Sequence, residues 1–136
     1  MSISADFEEI LPGRDKHVVL YDRDQTILLV LRHLLKKLGF SVSVVSDPAK
    51  GMSLITAEQP QLLIWSLHRQ PDIDFHMLQE VQRLDSRPYV ILVSTPETLS
   101  VDAPINTLES GDVFIKPFEP SHLMRRIRYL LKQQKI

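Results

Sequence analysis

The 136-residue chain reads as a single α/β domain built on an open, doubly wound sheet of five parallel strands. Two observations predict this. Short β-rich apolar runs alternate with segments of helical periodicity along the chain. The central runs carry almost no polar residue, as befits parallel strands covered on both faces. Strands separated by helices run parallel and are joined by right-handed crossovers.

The elements follow in order. His17–Tyr21 (HVVLY) is the first strand. A helix follows with Ile27, Leu31, Leu34, Leu35 and Leu38 on one stripe. Asp24 is its expected N-cap, and Gly39 is placed to end it in a left-handed conformation. Residues 40–45 (FSVSVV) form the second strand. Ser46-Asp47-Pro48 then opens a helix that Gly51 is expected to weaken. Residues 61–66 (QLLIWS) are the third strand, and Met77, Leu78, Val81 and Leu84 mark the helix after it. Residues 89–93 (YVILV) are the fourth strand. Pro96 and Pro104 interrupt residues 95–111, where a short or distorted helix is expected. Asp112–Ile115 is the fifth strand. The last helix starts near Pro120 and carries Leu123, Met124, Ile127, Leu130 and Leu131 on its apolar stripe.

Residues 1–16 are expected to be an N-terminal extension outside the core, closed off by Pro12-Gly13. The domain proper then covers residues 17–133, with a tail at 134–136. The chain has no cysteine, which excludes disulfides, thiolate catalysis and cysteine-based zinc sites. Its net charge of −1 gives the whole molecule no electrostatic pull toward nucleic acid or an anionic membrane. No apolar run approaches the roughly 18 residues of a membrane span. The acidic N-terminus does not read as a signal peptide, so a cytoplasmic protein is expected.

In such sheets functional groups gather beyond the carboxyl ends of the strands. Asp22, Arg23 and Asp24 follow strand one, Ser66 ends strand three, Ser94 and Thr95 follow strand four, and Lys116-Pro117-Phe118 follows strand five. With these residues in this order the chain resembles the receiver domains of response regulators. Three features carry the resemblance: Lys116-Pro117-Phe118 leading into an amphipathic helix, the separation of Ser94 from Lys116, and the run from Pro60 to Ser66. The resemblance implies a CheY-like, flavodoxin-like (βα)5 fold with strand order 2-1-3-4-5 and a cis bond before Pro117. It also implies roles: Ser66 stands at the phosphoacceptor position, Asp22, Arg23 and Asp24 at the acidic pocket, Ser94 at the switch position, and Lys116 at the conserved lysine.

The departures from that pattern set the functional expectation. Receivers carry an aspartate where Ser66 stands and a second acid where Arg23 stands. Phosphoryl transfer to a carboxylate needs a divalent cation to neutralise developing charge. A serine hydroxyl without an adjacent base is a weak nucleophile. Two like charges about 4 Å apart repel by roughly 1 kcal/mol in water and several times that near a protein surface, so the Arg23 guanidinium opposes metal binding. Asp22 and Asp24 remain weak metal candidates. The preferred readings make Asp22 an acid paired with Lys116, with Arg23 or Lys116 compensating both acids, and Asp24 a helix cap. No cofactor is expected, and magnesium binding is expected to be weak or absent.

The expected function is a non-phosphorylatable pseudo-receiver: a protein-interaction or regulatory module of two-component-type signalling, not an enzyme. The expected partner is a protein or an output domain, with a homodimer through the face of helix four, strand five and helix five as one option. Arg125, Arg126, Arg128, Lys132 and Lys135 read as a solvated helix face rather than a nucleic-acid surface. His68, His76, Asp72 and Asp74 read as a solvated polar loop. Two alternatives stay open: a receiver fold switched by a small ligand at the strand-end pocket, and a flavodoxin-like nucleotide binder. The second lacks a glycine-rich phosphate loop after strand one.

Overall fold

A computed structural model describes residues 11–98 and 111–136. The elements are β1 (His17–Tyr21), α1 (Gln25–Lys37), β2 (Ser41–Val45), α2 (Pro48–Glu58), β3 (Leu62–Ser66), α3 (Asp72–Gln82), β4 (Tyr89–Ser94), β5 (Asp112–Ile115) and α4 (Pro120–Lys132). Of the irregular segment expected at 95–111, only a turn at its start and Gly111 at its end lie among the described residues; the rest of that expectation falls outside them. The five strands pair in parallel in the order β2-β1-β3-β4-β5. This is the doubly wound topology expected from the alternation of elements.

The pleat divides the core in two. Val18, Leu20, Leu62, Ile64, Ile91 and Val93 face α1 and α4, where Leu31, Leu35, Ile127 and Leu130 meet them. Val19, Tyr21, Leu63, Trp65, Val90 and Leu92 face α2 and α3, against Ile55, Met77, Leu78 and Val81. Alternate residues of each central strand therefore serve opposite layers, which is why these strands read as unbroken apolar runs.

Asp24 caps α1, its Oδ1 accepting the Thr26 N–H at 2.9 Å. Asp47 does the same for α2 through Ala49 N–H, also at 2.9 Å. Gly39 ends the first helix at φ +104°, a conformation that favours glycine. Gly51 corrects a simple propensity argument. A Cβ there would stand 2.9 Å from Cζ3 of Trp65, so the missing side chain lets α2 lie directly on the indole.

The described flanking residues contact the domain at both ends. Residues 11–16 form a turn against the end of α1 and the start of β2. Gly13 is buried, its N–H donates to the Leu38 carbonyl at 2.7 Å, and Lys16 O accepts the Ser41 N–H at 3.0 Å. The turn thereby satisfies a carbonyl that the end of α1 would leave unpaired. At the other terminus Gln134 turns back at φ +59°, Lys135 N–H donates to Leu130 O at 2.9 Å, and Ile136 packs on the core. The C-terminal residues thus close α4 in the manner of a left-handed cap.

Candidate strand-end site

Parallel pairing brings the carboxyl ends of β1, β3, β4 and β5 to one edge of the sheet, and the residues just beyond them form a polar cluster. Asp22 is only 4% exposed, and each of its oxygens is engaged. Its Oδ2 accepts the Ser66 hydroxyl at 2.9 Å and the Lys116 ammonium at 2.7 Å. Its Oδ1 accepts the Asp24 N–H at 2.9 Å. The peptide bond between Lys116 and Pro117 is cis.

Asp24 caps α1 through its Oδ1 while lining the same cavity. Arg23 lies on the rim of the cluster and, among the described residues, forms an ion pair with neither acid. Compensation of the acids therefore reduces to the Asp22–Lys116 pair. Of the two cations expected there, it is Lys116, just beyond β5, that meets the inward oxygen. Ser94, at the switch position at the end of β4, plays a structural part. It is buried, its hydroxyl lies 2.6 Å from Thr98 Oγ1 and donates to Thr95 O at 2.8 Å, and it does not line the cavity. Thr95 and Thr98 line it instead. The Ser94 hydroxyl is satisfied within the turn after β4. Pro117 lines a separate apolar hollow with Ile27, Val30 and Phe118.

A second, deeper network lies beside this cluster. Asp74, on α3, is fully buried. Its Oδ1 accepts from Trp65 Nε1 at 2.7 Å and lies 2.7 Å from His68 Nδ1, while its Oδ2 accepts the His68 backbone N–H at 2.8 Å. A carboxylate only accepts, so His68 Nδ1 carries the proton; in the neutral ring Nε2 then accepts from the Tyr21 hydroxyl, 2.5 Å away. Tyr21 stacks on Trp65 with ring centroids 4.2 Å apart. The expectation that His68 and Asp74 belong to a solvated loop is thus overturned, whereas Asp72 and His76 are exposed. The missed signal was present in the sequence. Asp74 precedes Met77, Leu78 and Val81 at helical spacing, on the apolar stripe itself.

Burial pushes the Tyr21 phenol above its ordinary value. The nearby Arg23 guanidinium opposes this, and the Asp74 and Asp22 carboxylates add to it. Burial and then the Asp112 carboxylate likewise raise Tyr89, against the opposing Arg126. An unfolded chain ionises its tyrosines near pH 10, while the native state holds these two protons longer. The stability they contribute is complete below about pH 10 and is lost as pH rises from there through the native values. An alkaline absorbance titration of the native chain is expected to lag behind that of the urea-unfolded chain. Native and unfolded curves that superimpose would contradict the burial argument.

Fold and site together define a class: a flavodoxin-like α/β domain with an acid, a hydroxyl and a lysine drawn together at the carboxyl edge of its sheet. The chain belongs to the response regulator receiver domain family, whose model matches residues 18–128. It is a receiver domain of two-component signalling. It is similar to the DNA-binding response regulator MtrA of Mycobacterium leprae, 28% identical over 121 residues, or 87% of this chain and 52% of that protein. The chain spans about half the length of the curated relatives it matches. Among solved structures, a CheY-like receiver domain protein from Methanospirillum hungatei superposes with a TM-score of 0.74 at 23% identity, covering 88% of this chain and 96% of that one. The signal receiver domain of a response regulator from Bermanella marisrubri gives 0.69 at 18%, covering 87% and 99%. No helix among the described residues is long and apolar enough to cross a membrane.

Proposed function

We propose that this receiver domain works without aspartyl phosphorylation, as a protein-interaction module of a two-component-type pathway whose state is set by sequence or by a partner. One observation carries the reading. At the end of β3, where an acyl phosphate would form, the Ser66 hydroxyl is already donated to the same Asp22 oxygen that Lys116 holds. An alcohol cannot form an acyl phosphate. The donor set also does not fit a magnesium ion, which takes carboxylate, water and phosphate oxygens in octahedral array. One Asp24 oxygen is engaged in the helix cap, Asp22 in bonds to an ammonium, a hydroxyl and an amide, and Arg23 adds positive charge at the rim. In ordinary receivers the phosphoryl group biases two conformations; without that input the equilibrium follows intrinsic stability and binding.

Acetyl phosphate with magnesium, read by intact mass, tests the reading. The unaltered chain is expected to stay unlabelled, and the double variant Ser66→Asp, Arg23→Asp to gain a phosphate that hydroxylamine removes, the mark of an acyl phosphate. A labile phosphate on the unaltered chain would refute the proposal.

A second reading is favoured by the cavity over the cluster, 350 Å³ in volume and lined by Tyr21, Arg23, His68, Arg69, Glu97 and Thr98 among others. Its size and mixed charge suit a small polar ligand acting as the input.

A further inference from the structure

The helices α1 and α4 lie side by side over one core layer. Neither contains an aspartate or a glutamate. Their cations Arg32, Lys36, Lys37, Arg125, Arg128 and Lys132 are exposed, and among the described residues none of these pairs with a carboxylate. Arg126 is the exception on these helices, held by Asp112 at 2.7 Å. Among the described residues this face therefore concentrates positive charge, in a chain whose total is −1. Between the two helices runs a groove of 550 Å³. Leu34, Leu38 and Met124 floor it, and Lys37, Arg125 and Arg128 rim it.

From this juxtaposition we infer that the α1–α4 groove docks an acidic amphipathic helix of a partner protein. Its apolar stripe would seat on Leu34, Leu38 and Met124, and its flanking carboxylates would meet Lys37 on one side and Arg125 and Arg128 on the other. Arg125 and Arg128 are three residues apart on α4, one helical turn, and so match carboxylates one turn apart on the incoming helix. Helix-in-groove recognition has this form: apolar anchors at i, i+3, i+4 and i+7, with complementary charge fixing register and raising the rate of encounter. A phosphodiester backbone would feel the same cations but has no use for an apolar floor, which favours a polypeptide over nucleic acid. None of the groove residues lines the strand-end cavity, so this surface stands or falls independently of the pocket chemistry.

The test uses the full chain, 15N-labelled and titrated with a synthetic helix of about four turns bearing a leucine stripe flanked by glutamates. Saturable shifts are expected at Leu34, Lys37, Met124 and Arg125, with Ser66 and Asp22 unmoved. The triple variant Lys37→Glu, Arg125→Glu, Arg128→Glu should weaken binding at least tenfold while keeping its spectral dispersion. Because all three side chains sit on the surface, Lys37→Gln with Arg125→Gln provides a milder companion, expected to weaken binding by several-fold. The inference is overturned if the peptide gives no saturable shift, or if a glutamine-for-glutamate peptide binds equally well. It is also overturned if duplex DNA shifts these residues and the peptide does not, or if the shifts vanish on dilution as self-association would.

Discussion

Replacing Asp74 with alanine is expected to destabilise the domain by about 3–5 kcal/mol, the cost of stripping a buried hydrogen-bond network of its shared acceptor. The substitution leaves three donors without an acceptor in a dry site: the Trp65 indole N–H, the His68 backbone N–H and the His68 ring. Each unsatisfied buried donor costs about 1–3 kcal/mol, and these neighbours do not add fully. Asp72→Ala, exposed on the same turn of α3, is the control and should stay within about 0.5 kcal/mol of the parent. Urea denaturation followed by circular dichroism separates the two. If Asp74→Ala cost no more than its neighbour, the carboxylate would not be organising this layer.

The Lys116→Ala variant is the second large effect, about 2–3 kcal/mol. Asp22 keeps the Ser66 hydroxyl and the Asp24 N–H but loses the only cation that bonds to it among the described residues. The loss falls below that of a fully dry pair because the Lys116 side chain is 22% exposed. Adding Asp22→Asn removes the stranded charge, so the double variant should be more stable than the sum of the two single changes predicts. Strict additivity in that cycle would mean that the two groups do not interact.

The fold was legible because its signals were redundant. Apolar runs, caps at Asp24 and Asp47, and a glycine at the end of α1 all pointed to the same βα alternation. The Asp22–Ser66–Lys116 cluster was legible for a related reason: topology alone brings the ends of β1, β3 and β5 to one edge. What escaped were the details decided by side-chain direction. Ser94 sits at the expected strand end and has a structural part, but the partners it bonds in its own turn, Thr95 and Thr98, were not marked by any pattern in the sequence. Arg23 follows Asp22 directly, yet adjacency in sequence does not fix which way its side chain points, and it is Lys116 that bonds Asp22. Asp74 and His68 were misread because charged residues near a loop are usually solvated. Only the partner set supplied by Trp65 and Tyr21 makes their burial tolerable. The contacts of the flanking residues escaped because backbone hydrogen bonds at helix ends recruit residues that composition marks as dispensable.

Trp65 is the only tryptophan in the chain, and it is wholly buried where β3 meets the strand-end groups, stacked on Tyr21 and hydrogen-bonded to Asp74. The protein therefore contains an intrinsic fluorophore in contact with residues that line the strand-end cavity. A ligand or partner that repositions Tyr21 or His68 changes the surroundings of the indole, so its emission offers a label-free readout of that event.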